Sequence, residues 1–174
     1  MPDDPSQLRI MPLSNNQVCD NFDCGDPGVN AALVQAANNS QNLISTSFVT
    51  ATDDKNIIFG FYSVTATNIE FKEIPENLAD KIGSYPIPAV IIERIGVHNS
   101  FQRKGLGARL LIDALQRIYN ATDEIDAGVI MVEAGNERLR AFYLHYGFIP
   151  LTGSVSRLFL PMEKVVKLFE EITP

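Results

Sequence analysis

Residues 101–111 read FQRKGLGARLL, with Gly105 and Gly107 set behind two cations, Arg103 and Lys104. The run before them, IPAVIIERIGV (87–97), is almost wholly apolar, as in a buried strand. The run after them, LGARLLIDALQRIY (106–119), places Leu106, Leu110, Ala114, Leu115 and Ile118 on one helical face. The order is therefore buried strand, glycine turn, amphipathic helix. A helix start carries unpaired backbone N–H groups and a partial positive charge. Glycine lets a backbone approach a ligand closely and adopt positive φ. Together these types make an anion cradle, most often for phosphate. A nucleotide P-loop would need Gly-Lys-Ser/Thr, and Gly107-Ala108-Arg109 does not supply it. A dinucleotide fingerprint would need glycine at 110, where Leu110 stands. A glycine turn without any ligand is the alternative that spacing alone leaves open.

The remaining candidates are few. Glu93 sits inside an apolar strand pattern, where a charge is costly to bury. Glu133 stands near the end of a second apolar run, GVIMVEA (128–134). Cys19 and Cys24 are the only cysteines, and His98 and His145 the only histidines, too scattered for a zinc site. We expect no metal, and read the two thiols as small apolar fillers. The histidines look like surface or capping residues.

The other elements follow from periodicity and turn signals. Helices are expected at 28–41, 74–82, 136–146 and 163–172, besides 106–119. Strands are expected at 43–51 and 57–66, joined as a hairpin by the turn cluster 52–56, and at 87–97, 128–134 and 156–162. Asp26 and Pro27 signal the first helix start, and Gly147 and Pro150 a helix stop. Strands and helices alternate within 174 residues without repeats or linkers. The fold class is thus α/β or α+β, in one domain spanning 1–174.

Charge is unevenly placed. The net formal charge is −7, but residues 1–93 hold four Lys/Arg against twelve Asp/Glu, and residues 94–174 hold ten against nine. An anion site therefore belongs in the second half. No apolar run approaches the about 20 residues of a membrane span. The first residues, MPDDPSQLRI, lack the basic-then-apolar order of a secretory signal, so the expected location is cytoplasmic.

Gln102-Arg103-Lys104-Gly105-Leu106-Gly107 resembles the Q/R-x-x-G-x-G/A loop of the GNAT superfamily of N-acetyltransferases. AFYLHYGF (141–148) is similar to a later helix of that family, ending in F-Y-x-x-x-G-F. NFDCGDPGVN (21–30), YPIPAVIIERIGV (85–97) and RLFLPM (157–162) extend the resemblance, over nearly the whole chain, to GNAT-type toxins of bacterial toxin–antitoxin pairs. The resemblance implies a mixed, largely antiparallel sheet flanked by helices. It implies acetyl-CoA as co-substrate, held by the backbone of Gln102, Arg103, Lys104, Gly105, Leu106, Gly107 and Ala108. The strand end Ile95, Gly96 and Val97 would carry the pantetheine arm, and Asn136 would also contact the coenzyme. It further implies aminoacyl-tRNA as acceptor and a ribbon-helix-helix antitoxin as partner. A homodimer is a further expectation.

Acetyl transfer needs a neutral amine, a polarised thioester and a stabilised leaving thiolate. Tyr143 aligns with the tyrosine that the family places beside the coenzyme sulfur, which makes it the expected proton donor. Its other reading is a core aromatic beside Phe142. Tyr146 is the competitor on the same helix, read as a packing residue. Glu93, or else Glu133, is the expected base. Arg94 matches a recurrent arginine of the toxin group and is expected to face the acceptor, a structural salt bridge being the alternative. Asn136 is also read as a plain helix cap. Two other functions remain open. One is acetylation of a small amine or a protein amino group, which suits the acidic chain, with its pI near 4.8. The other is a coenzyme A sensor with no catalysis.

Overall fold

The computed structural model describes residues 4–14, 19–38, 46–51, 57–82, 87–121 and 128–172. Its elements, in chain order, are β1 (Arg9–Pro12), α1 (Pro27–Asn38), β2 (Thr46–Ala51), β3 (Ile58–Ile69) and α2 (Glu76–Ile82). They continue with β4 (Ile87–Val97), α3 (Leu106–Asn120), β5 (Val129–Glu133), α4 (Glu137–His145), β6 (Ile149–Pro150), β7 (Arg157–Pro161) and α5 (Met162–Ile172). The strands share one mixed sheet in the order β1-β2-β3-β4-β5-β7-β6, with only β4 and β5 described as a parallel pair. This is the mixed, largely antiparallel architecture expected. The turn expected at 52–56 lies outside the described residues, as does the helix end expected at 39–41.

The chain forms two compact units, Met1–Val64 with Glu93–Ala114, and Thr65–Ile92 with Leu115–Pro174. In the first, β1, β2 and β3 pair in antiparallel register, with Val49 opposite Phe61 and Phe48 opposite Tyr62. Successive strand residues point to opposite faces. Val49 and Phe61 join Leu33 of α1, Phe22 and Cys19 in one buried cluster. Tyr62, stacked on Phe48 with ring centroids 5.2 Å apart, donates its phenol to Asp113 Oδ2 of α3 at 2.6 Å. All five residues expected on the buried face of α3, from Leu106 to Ile118, are buried.

In the second unit, Ala89 to Ile92 of β4 pair in parallel with Val129 to Val132 of β5, and β5 pairs antiparallel with β7. Ile69, Ala89, Val129, Met131 and Phe159 form its core. Thr152 N–H donates to Glu73 O, and the Arg157 guanidinium bonds Glu73 Oε1 and Met131 Sδ. Two short strands were not expected. β1 is only four residues, Arg9–Pro12, and ends in a proline, and β6 is only Ile149–Pro150, which reads as a helix stop. Both lie at the ends of the sheet order, where proline is tolerated because the edge N–H needs no partner.

Candidate active site

The first unit builds a strand end, a turn and a helix start. The expectation that β4 is buried throughout holds only in part: Pro88 and Ile91 are half-buried, while Ile87, Ala89 and Val90 are buried, as is Ile92. Beyond it Glu93, Ile95 and Val97 are half-buried and Arg94 is exposed. The register with β5 runs as far as Ile92, opposite Val132. Gly96 is buried for a packing reason. A Cβ there would stand 2.8 Å from Phe61 Cε1 and 2.9 Å from Val29 Cγ1.

His98 then caps a single turn, Asn99–Phe101, and Phe101 is buried beneath it. Arg103 takes a left-handed backbone (φ 62°) without being glycine, and Gly105 follows at φ 85°. The chain thereby reverses into α3. The first bond of the helix runs from Arg109 N–H to Gly105 O at 3.1 Å. The N–H groups of Leu106, Gly107 and Ala108 precede it, as helix geometry requires. The Leu106 side chain is fully buried, so only its backbone is available to a ligand. Gly107 lies inside the helix and is not among the positive-φ residues; small size is what it contributes. Arg103 and Lys104 are exposed at the turn, with Lys104 Nζ 5.3 Å from the Phe101 ring centroid. The arrangement is an anion cradle: backbone donors at a helix start, flanked by two cations.

The cradle is fastened to residues 21–25, which sequence reading left without a role in the site. Gln102 Nε2 donates to Cys24 O at 2.7 Å and to Val97 O at 2.9 Å. Asn99 N–H donates to Asp23 O at 2.8 Å. His98 Nδ1 accepts from Ser100 N–H at 3.1 Å, and Nε2 lies 3.1 Å from Asn21 O. An accepting Nδ1 puts the ring proton on Nε2, where it meets that carbonyl. His98, read as a surface or capping residue, is thus a cap that also ties down a loop 77 positions away in sequence. Asp23 accepts from Gly25 N–H at 2.9 Å and from Asn30 Nδ2 at 3.1 Å, and the Gly25 bond chiefly holds its carboxyl below the usual range. The Asp, Asn and Gly density of 21–30 signals an ordered turn; its distant partners carry no local signal.

Glu93 is half-buried, and Arg94 Nη1 donates to the main-chain oxygen of Glu93 at 2.8 Å. The guanidinium of Arg94 is exposed. Neither cysteine forms a disulfide. Cys19 is buried, whereas Cys24 is half-buried, with Sγ 3.7 Å from Asp26 O. Burial pushes both thiols up, so they are poor nucleophiles at neutral pH. Among the described residues, no group of three or more His, Cys, Asp or Glu side chains is placed to hold a metal ion.

The second unit holds the remaining candidates. Asn136 Oδ1 accepts from Leu139 N–H at 2.8 Å and caps α4, as expected of a cap. Tyr143 is 1% exposed, its ring 5.4 Å from those of Phe142 and Phe148. Its carbonyl accepts from both Tyr146 N–H and Phe148 N–H, each at 3.1 Å, where Gly147 reverses the chain at φ 90°. Burial pushes its phenol well above the ordinary range, so the group is a neutral donor at pH 7. No hydrogen bond to its hydroxyl is present among the described residues. Tyr146 departs from the packing role expected of it. It is the helix C-cap and lies 36% exposed against Phe142 and His145. Glu133 ends β5 and is exposed, opposite Arg157 in register.

Comparison with known proteins places these residues in context. Residues 44–150 match the acetyltransferase (GNAT) domain family. A probable toxin TacT of Sinorhizobium fredii is 33% identical over 129 residues, covering 70% of this chain and 71% of that one. A tRNA-acetylating toxin of Mycobacterium tuberculosis is 31% identical over 128 residues, covering 73% and 75%. Among solved structures, AtaT complexed with acetyl-methionyl-tRNAfMet superposes with a TM-score of 0.85 at 27% identity, over 93% of this chain and 99% of that one. A tyrosine-to-phenylalanine variant of AtaT, bound to the C-terminus of the antitoxin AtaR and acetyl-CoA, superposes at 0.79 and 26% identity, over 94% and 98%.

Proposed function

Because the chain belongs to the GNAT acetyltransferase family, we propose that it transfers an acetyl group from acetyl-CoA to the amino group of an aminoacyl-tRNA. The observation that carries the reading is the helix start at Leu106, with three leading N–H groups beside Arg103 and Lys104. That arrangement suits a pyrophosphate, and two of the proteins that match the chain, the tRNA-acetylating toxin and AtaT, act on or bind tRNA. The family match spans residues of both compact units, which supports reading 1–174 as one catalytic domain.

Acetyl-CoA supplies an activated thioester. In this reading the backbone of 102–108 holds its pyrophosphate, and the backbone of Ile95, Gly96 and Val97, past the last β5 pair, lies along its pantetheine arm. Asn136, at the start of α4, contacts it from its backbone, since its side-chain oxygen is engaged in the cap. Glu93 takes a proton from the acceptor ammonium, directly or through a water, and leaves a neutral amine to attack. Tyr143, held neutral by burial, gives its proton to the departing thiolate. Arg94, exposed beside Glu93, meets a phosphate of the acceptor. By analogy with the antitoxin-bound relative, an antitoxin is the natural protein partner. No helix among the described residues is long and apolar enough to cross a membrane. A tRNA acceptor is met in the cytoplasm, which is the location this reading implies.

The net charge of −7 favours a second reading, in which a small cationic amine is the acceptor. Incubation with radiolabelled acetyl-CoA and either charged tRNAs or polyamines separates the two. Label in the aminoacyl moiety of tRNA, falling steeply with added salt, supports the first. Turnover of polyamines with no label in any charged tRNA overturns it in favour of the second.

A further inference from the structure

Within a loop that the family uses to bind coenzyme, Gln102 stands apart. Its side chain does not point its donors outward. Nε2 carries two N–H groups, and both are engaged by main-chain carbonyls: Cys24 O at 2.7 Å and Val97 O at 2.9 Å. Val97 is the last residue of β4, the strand end assigned to the pantetheine arm. Cys24 belongs to the turn that opens α1, where its own N–H donates to Asn30 Oδ1 at 3.0 Å. One planar amide therefore joins three segments: the strand end, the turn at 21–25 and the residue that opens the cradle. The two neighbouring bonds, Asn99 N–H to Asp23 O and His98 Nε2 to Asn21 O, fasten the same turn to the other end of the 98–102 segment.

We propose that the side chain of Gln102 positions the loop rather than contacting the coenzyme: it sets the cradle for acetyl-CoA by crosslinking Val97 and Cys24, and leaves contact with the ligand to the backbone of 102–108. The inference rests on reading 105–108 as the acetyl-CoA cradle. The physical reason is one of geometry. Arg103 and Gly105 both take left-handed backbones, so the turn has few low-energy alternatives once its start is fixed, and many if it is not. Gln102 is the residue immediately before that turn. Without its two donors, two partly buried carbonyls lose their partners and the turn loses its anchor at once.

The test is a kinetic split on the full chain with three variants. Gln102→Leu keeps the bulk and removes both donors. Gln102→Arg restores N–H donors that reach two carbonyls. Gly107→Glu blocks the cradle itself. We expect KM and the dissociation constant for acetyl-CoA to rise about tenfold or more in Gln102→Leu, the size of a buried polar group left unpaired. We expect kcat to stay within about threefold and Gln102→Arg to recover most of the affinity. A folded Gln102→Leu protein with unchanged acetyl-CoA affinity, or one that loses kcat alone, overturns the proposal. If Gly107→Glu also binds acetyl-CoA normally, the cradle reading has failed; if it does not, only the role of Gln102 has failed. Should Gln102→Leu not fold, amide exchange in the unmodified protein decides. With glutamine labelled by ¹⁵N, the Gln102 side-chain N–H₂ signals should exchange with solvent more slowly than those of exposed glutamines, with or without acetyl-CoA. Equally fast exchange overturns the proposal.

Discussion

Gly60 and Gly96 meet backbone to backbone within the first unit: a Cβ on Gly60 would stand 3.3 Å from the Gly96 carbonyl oxygen. The same Cβ would lie 3.0 Å from Leu110 Cδ1 of α3. On the opposite side, Gly96 gives its space to Phe61, Val29 and Phe22. The glycine pair lets α1 and α3 close on the strands that carry the candidate coenzyme groove. Gly96→Ala should therefore destabilise the protein by about 1–3 kcal/mol, the usual cost of overpacking. Urea unfolding followed by circular dichroism checks this. An unchanged midpoint would mean that Phe61 and Val29 can yield.

Gly107 tests the cradle from the ligand side. It lies in the first turn of α3 and is half-buried, so its substitution mainly affects what approaches that helix start. Gly107→Glu adds both bulk and negative charge where an anion is expected. Calorimetric titration should show acetyl-CoA binding abolished, with the far-ultraviolet circular dichroism spectrum retained. Wild-type affinity in the folded variant would remove the pyrophosphate from this turn.

Tyr143→Phe separates chemistry from packing. The ring and its contacts with Phe142 and Phe148 remain, and only the hydroxyl is lost. Turnover should fall roughly 10²–10⁴-fold, the size of a lost general acid, while acetyl-CoA affinity stays near wild type. Tyr146→Phe, at the exposed helix cap, should change little. The opposite pattern would move the proton donor to Tyr146.

The same tyrosine gives a pH signature. Its phenol is raised in the folded state, chiefly by burial, above the value of about 10 expected when unfolded. Below pH about 10 both states keep the proton and stability is unaffected. Above it the unfolded chain releases the proton first, so stability falls as pH rises. Thermal melting of the wild type should thus drop above pH about 10 more steeply than that of Tyr143→Phe. Parallel curves would mean that the hydroxyl is well solvated in the folded protein.

Asp23 supplies the converse case. Its carboxyl is lowered, first by the Gly25 N–H and then by Asn30, so its contribution is present above the unfolded value of about 3.9. It is lost as pH falls through the folded value. Asp23→Ala should melt below wild type at pH 7, and the gap should narrow toward pH 3. A gap that persists at pH 3 would assign the effect to packing rather than to the carboxylate.

Much of this was legible in the chain. The strand, glycine turn and helix around Gly105 could be read locally, because burial period, turn chemistry and helix-start signals act over a few residues. The cap at Asn136 and the buried face of α3 follow from the same short-range rules. The family assignment needed the residues of the loop and of AFYLHYGF in order. The expectation for Tyr146 failed because a residue just before a glycine stop can face either way, and neighbouring packing decides which.

Tertiary structure alone decided the rest. No local rule could tie His98 to Asn21 or Gln102 to Cys24, since those bonds join segments more than 70 positions apart. Whether Gln102 offers its amide to a ligand or to the chain's own carbonyls depends on where the 21–25 turn comes to lie. From the resemblance Gly96 is expected only along the pantetheine arm, whereas the fold shows a glycine required by Phe61 and Val29. Sequence determines which backbone shapes are cheap and which side chains seek burial. Only folding brings distant carbonyls within reach of a donor, and it is there that the cradle acquires its fixed form.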